Sequence, residues 1–276
     1  TKAQAKHWAI HKEVEMKAQD SDIPRHTLLE ALIKYRDTVT IQKKGERWES
    51  IRLNKFIRTM PFVNEQLTEL KTATLAEWRD NALKTLQPAS VHREMTLLAS
   101  VIEIARREWG WLKESPLKDV KKPTKPPHRD RLINSQEAEQ LVNALGYIDG
   151  IEVTTKQQQV AIAFLFALET AMRAGEIVDL TWDRVSITKR FVSLAETKNG
   201  DSRNVPLSNK AIELLQKLQH LDSVRVFTVD SGSLSTFFRR ARDKAGIEDL
   251  HFHDTRHQAI TTLAKKLTVI QLARMV

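Results

Sequence analysis

At 276 residues, with 41% hydrophobic and 29% charged, the chain is long enough for two ordinary globular cores and too mixed for a disordered or collagenous one. Lys and Arg number 44 against 35 Asp and Glu, and the net charge of +9 favours a polyanionic partner, most often nucleic acid. The absence of cysteine excludes disulfides, thiolate metal sites and cysteine nucleophiles, and it fits a reducing cytosol. The apolar runs, such as VAIAFLFAL (160–168), are too short to span a bilayer.

The opening TKAQAKHWAIHKEVEMKAQD alternates charged and apolar residues and has no signal-peptide pattern; a start at Thr1 implies a piece of a longer protein. After Pro24, Leu28, Leu29, Leu32, Ile33 and Val39 mark a helix. The break at KKGERWES exposes Lys43, Lys44 and Arg47. A second helix starts at Pro88, a good first-turn residue. From Val91 to Trp109 its apolar residues advance by 4, 3, 4, 3 and 4 positions, one continuous stripe. Its other face carries His92, Arg93, Thr96, Arg106 and Arg107, a solvated face or one turned to DNA.

The stretch 118–131 holds six Lys or Arg against two acids, and Pro123, Pro126 and Pro127 block regular structure. It reads as an interdomain linker that could also lie along a phosphate backbone. Asn134 and Ser135 are candidate caps of the next helix. QQQVAIAFLFALETAMRAGEIVDL is almost wholly apolar and is expected as an interior helix, punctuated by Gly175 just after Arg173. Phe191–Glu196 and Arg203–Pro206 read as strands joined by a turn at KNGDS. Amphipathic helices follow over 209–219 and 234–245, and another begins near His253.

Four cationic or titratable residues then stand out, each with a plainer reading beside the functional one. Arg173 at the end of a greasy helix needs an anion or an acidic partner, for which Glu176 is at hand. Lys198 on a turn is ordinary solvent decoration if taken alone. Arg256 on a first helical turn opposes the helix dipole, a conflict that an anion bound there would relieve. With His253, these four are what a metal-free phosphoryl transfer requires. Guanidiniums clamp the nonbridging oxygens, and a lysine or histidine moves a proton. The metal alternative places His253 and His257 on one helix face with His251 near. It has Arg256 among its ligands, where the charge repels a cation.

TAMRAGEIVDLTW, ETKNGDSRNVPLS and LHFHDTRHQAIT, in this order and spacing, resemble the three catalytic boxes of the tyrosine recombinases, the phage integrase family. The helical half, especially 88–117, resembles that family's core-binding domain, and the first residues resemble the closing helix of an arm-site-binding domain. The resemblance implies a mainly α fold with a small antiparallel β-sheet in the catalytic domain, closed as a two-domain clamp around DNA. Its divisions are 1–20 for the arm-site helix, 21–112 for the core-binding domain, 113–131 for the linker and 132–276 for the catalytic domain. By the same likeness Arg173, Lys198, His253 and Arg256 are catalytic, with Glu176 and His257 supporting them. Lys43, Lys44, Arg93, Arg107, Lys121, Lys122 and Lys125 are the expected DNA contacts.

The family's chemistry is attack by tyrosine on a phosphate, giving a 3′-phosphotyrosyl link with no metal and no cofactor. It acts on double-stranded recombination sites as a homotetramer, and a monomer without DNA is allowed. The resemblance further implies a cytoplasmic, bacterial or phage-encoded protein. The family's Gly-His pair and nucleophilic tyrosine have no match here: the two tyrosines, Tyr35 and Tyr147, fall outside the boxes, so the nucleophile is expected beyond Val276. Two other readings stay open, a DNA-binding protein without catalysis and a metal-dependent phosphoesterase.

Overall fold

The computed structural model describes residues 2, 4–8, 23–127, 129–194 and 202–276. The chain divides into two compact units, Thr1–His128 and Arg129–Val276, each with its own core. It is mainly helical, with one small antiparallel sheet.

The first unit is built from α1 (Leu28–Thr38), α2 (Glu46–Thr59), α3 (Thr72–Leu83) and α4 (Pro88–Arg107), with a 3₁₀ turn over Thr40–Gln42. Thr27 and Glu30 close a reciprocal capping box that satisfies orphan amides at the start of α1. On α4 the stripe is buried as its period predicts: Val91, Met95, Leu98, Ile102 and Ala105 are fully enclosed. Trp109 lies past the helix end and packs on Trp111 instead. Ile33 of α1 remains exposed, so that stripe is narrower than its sequence implied.

The stretch read as a linker is shared between the units. Leu117 and Val120 are buried in the first core, and Pro123 accepts a hydrogen bond from the His92 ring on α4. Arg129 and Arg131 are tied into the second unit.

The second unit contains α5 (Ser135–Ala144), α6 (Lys156–Thr170), α7 (Ala174–Val178), strands β1 (Val185–Ser186), β2 (Phe191–Leu194) and β3 (Arg203–Pro206), then α8 (Asn209–Gln216), α9 (Ser231–Lys244), α10 (Asp254–Leu263) and α11 (Val269–Met275). Asn134 caps α5 with Glu137 answering. The strands run β1-β2-β3, antiparallel, with Val192 opposite Val205 and Leu194 opposite Arg203. Helix α6 is apolar all round because α8, α9 and α10 pack against it. Phe164 and Phe166 are fully buried, and each is worth about 1.5–3 kcal/mol by area.

One sequence expectation fails here in a way that matters. The apolar run is two helices, not one, because α6 ends at Ala171, whose backbone is left-handed (φ 54°). Arg173 therefore stands at the start of α7 and not at the end of α6.

Candidate active site

Ala171 costs about 1–2 kcal/mol in the left-handed region, because its Cβ crowds the following carbonyl oxygen. The Thr170 hydroxyl donates to the Phe166 carbonyl (2.7 Å) and accepts from the Met172 amide (3.4 Å), so hydrogen bonds offset part of that cost. The turn has two consequences. The Ala171 carbonyl becomes an acceptor for Nη1 of Arg256. The reversed chain also makes Arg173 the N-cap of α7.

At the third position of α7, Glu176 reaches back to the Arg173 amide (2.8 Å) and takes Nη1 of the same residue on its other oxygen (2.8 Å). This is the ion pair that forms the plain reading of Arg173. A third donor, Nη2 of Arg203 on β3, shares Glu176 Oε2 at 2.8 Å. Arg203 is only 9% exposed and donates its Nε to the Met275 carbonyl at the end of α11 (2.9 Å). Burial alone would push the Glu176 carboxyl up; the Arg173 amide and the Arg203 and Arg173 guanidiniums outweigh it and hold it below the usual range.

Helix α10 supplies the other side. His253 is its exposed N-cap residue and Arg256 its third residue, half-buried. The Arg256 guanidinium is held below its ordinary pKa by burial first, then by repulsion from Arg173 and Arg203, against a smaller attraction from Glu176. Three guanidiniums thus act on a neighbourhood whose named counter-charge is one carboxylate. Such a place can hold a tetrahedral polyanion, with forked donors to its oxygens.

The structure brings Arg173, Glu176 and Arg256 into one electrostatic neighbourhood, with His253 one helical turn from Arg256. Lys198 lies outside the described residues. His257 is half-buried on α10, and its carbonyl accepts from the Thr261 hydroxyl (3.0 Å). Among the described residues no group of three or more His, Cys, Asp or Glu is placed to hold a metal ion.

Tyr35 is buried in the first core with its hydroxyl accepting from Lys43 (2.7 Å). Tyr147 is buried in the second, donating to Asp149 (3.1 Å). Lys43 is also paired with Glu49 at 3.0 Å, so it is not the open cation its sequence implied. Arg107 is paired with Glu103. Lys44, Arg93, Lys121, Lys122 and Lys125 are exposed; Lys122 reaches the Thr96 hydroxyl on the polar face of α4 (3.4 Å).

Two further residues matter to the site and do not stand out in the sequence. Arg203 lies inside a quoted box, and strand alternation puts it on the face of buried Val205, a signal available in principle. Arg129 reads in the sequence only as linker charge, because its partners lie 120 and 125 residues away.

The Phage integrase family model matches residues 131–274. A Haemophilus influenzae protein provisionally named integrase/recombinase is 42% identical over all of this chain and 76% of its own length. A shufflon-specific DNA recombinase of Escherichia coli is 35% identical over 91% of this chain and 66% of its own. Among solved structures, a lambda integrase dimer bound to a core site aligns over 95% of this chain and 77% of that one, with TM-score 0.76 and 16% identity. A lambda integrase tetramer bound to a Holliday junction aligns over 100% and 87%, with TM-score 0.75 and 17% identity.

Proposed function

This chain belongs to the phage integrase family, the tyrosine recombinases, and we propose that its second unit is the phosphate-activating part of a DNA strand-transfer centre. The observation that carries this is the unbalanced cluster of Arg173, Arg203 and Arg256 around Glu176. In this reading Arg173 and Arg256 clamp the nonbridging oxygens of a scissile phosphate, where negative charge grows as phosphorus becomes pentacoordinate. A tyrosine oxygen bonds to phosphorus and gives its proton to one of Lys198 and His253, the bond to the 5′ oxygen breaks, and that oxygen takes a proton from the other. The product is a 3′-phosphotyrosyl link and a free 5′-hydroxyl, and attack by a partner strand's hydroxyl reverses the step. Glu176 positions Arg173, and the half-buried His257 is given a supporting role by the family resemblance.

Neither tyrosine of the chain suits the attack, since both are buried with their hydroxyls engaged. In this reading the attack comes from a tyrosine other than these two. The first unit is the core-binding domain. Lys44, Arg93, Lys121, Lys122 and Lys125 are its phosphate contacts, and Lys43 and Arg107 serve less directly because of their ion pairs. The partner is a double-stranded recombination site. The lambda tetramer on a Holliday junction supports a homotetrameric synaptic complex, and the integrase and recombinase relatives support a protein acting on bacterial or phage DNA.

The test uses the longer protein and a nicked suicide duplex in EDTA. A denaturant-resistant protein–DNA adduct is expected. DNA binding with no adduct would favour a DNA-binding protein without catalysis, and cleavage only on adding a divalent metal would favour the phosphoesterase.

A further inference from the structure

The loop and helix that carry His253 and Arg256 are held from behind by a residue from the start of the second unit. Arg129 donates Nε to Asp254 Oδ1 (2.8 Å) and Nη2 to Asp254 Oδ2 (2.9 Å), a forked pair on one carboxylate. Its Nη1 reaches Asp249 Oδ1 at 2.8 Å, and Nη2 also reaches the Asp249 carbonyl. Asp254 is the first residue of α10, directly after His253, and its side chain is only 4% exposed. Its Oδ2 also accepts the His251 amide at 2.8 Å, which closes the turn 251–254. Asp249 has a left-handed backbone (φ 49°), a conformation that persists where surrounding contacts impose it. One helical turn along, Gln258 Oε1 takes the Ile133 amide (3.1 Å), so 129–133 runs beside the face of α10 that holds Asp254 and Gln258.

We infer that Arg129 is a positioning residue of the strand-transfer centre, fixing the loop 249–254 and the first turn of α10 so that His253 and Arg256 meet the phosphate in register. This rests on the proposed function above. The physical reason is an asymmetry. With Arg129 in place, the Asp254 carboxylate is paired and anchors the turn. Without it, an almost enclosed carboxylate keeps only the His251 amide and the weaker pull of the His251 ring, and the turn must open to hydrate it. Arg129 itself is 37% exposed, so losing the aspartate instead leaves a guanidinium that water and Asp249 can satisfy.

The asymmetry supplies a readout that a merely structural role would not move. In the full-length protein, Arg129→Ala is expected to slow single-turnover cleavage at saturating DNA by roughly tenfold or more while DNA affinity moves little. Asp254→Asn alone should cost less. Adding Asp254→Asn to Arg129→Ala should recover rate, because it removes the unpaired buried charge. Arg129→Lys should fall between wild type and Ala, since an ammonium cannot fork. Hydrogen exchange, read independently of cleavage, should rise over 249–256 in Arg129→Ala and fall back in the double variant.

If Arg129→Ala cleaves as wild type, or if the double variant is worse than either single one, the inference is overturned. Should Arg129→Ala fold poorly, the Arg129→Lys and Asp254→Asn rates decide the same question. Arg173→Ala and Arg256→Ala run alongside: normal cleavage by those would break the proposed function, whereas their failure beside a normal Arg129→Ala breaks only this inference.

Discussion

Each unit contains a glutamate that gathers two cations, enclosed in the first (Glu94) and half-buried in the second (Glu176), and the two clusters differ in what they leave over. In the first unit Glu94 on α4, its side chain 3% exposed, takes Arg52 (3.0 Å) and Lys55 (2.8 Å) from α2. Both cations keep about a third of their surface in water, so the cluster pins two helices and solvent satisfies the remainder. In the second unit Glu176 takes Arg173 and Arg203, but Arg203 is nearly enclosed and a third guanidinium, Arg256, is satisfied by a neutral carbonyl. A carboxylate between hydrated cations is a staple. A carboxylate among more guanidiniums than it can neutralise, one of them nearly shut off from water, is a site prepared for an anion.

The largest expected effect comes from removing a guanidinium on the second side of that comparison. Arg173→Ala and Arg256→Ala should each cost about 3 kcal/mol or more of transition-state stabilisation, roughly 150-fold or more in cleavage rate. DNA affinity should stay near wild type, measured by filter binding on an uncleavable site. Neutralising each glutamate in turn sharpens the contrast. Glu94→Gln should lower unfolding stability by about 1–3 kcal/mol, discounted for its partly hydrated partners, with cleavage at saturating DNA unchanged. Glu176→Gln should slow cleavage at saturating DNA by about tenfold or more, because Arg173 loses its anchor. Equal cleavage defects in the two variants would erase the distinction.

A smaller effect concerns pH. The Glu176 carboxyl is held below its ordinary 4.5, so its contribution to stability is full above that value and is lost as pH falls through the lowered one. Denaturant melts between neutral pH and the acid limb should therefore decline less steeply in Glu176→Gln than in wild type. The smallest effect belongs to the exposed lysines. For each DNA phosphate that Lys121→Ala or Lys122→Ala leaves without its cation, the log–log salt slope of binding should flatten by roughly 0.9. An unchanged slope would place them in solvent.

How much is legible beforehand follows from sequence distance. Arg173 and Glu176 are three residues apart, so their pairing is visible as a local option, and Arg256 falls on a first helical turn from its position alone. The α4 stripe and the capping residue Asn134 are equally local. The helix break at Ala171 is only partly legible: Gly175 punctuates the run just after Arg173, but neither glycine nor proline stands at 171, and Thr-Ala-Met-Arg-Ala suits a continuing helix. Tertiary contacts impose it, with Arg256 arriving from 85 residues away. The same holds for Arg203 on Glu176 and for Arg129 on Asp254, whose partners only folding reveals. Lys43 misleads because its partner Glu49 sits across a turn on the next helix.

The claim that Arg173 and Arg256 hold one phosphate between forked donors is tested most directly by keeping the charge and removing the fork. Single-turnover adduct formation on a nicked suicide duplex would be measured in EDTA for wild type, Arg173→Lys and Arg256→Lys of the full-length protein. Both lysine variants should bind the duplex normally and form adduct at least about a hundredfold more slowly, because an ammonium cannot supply paired donors to two oxygens. Adduct formation at the wild-type rate by Arg173→Lys would contradict the account.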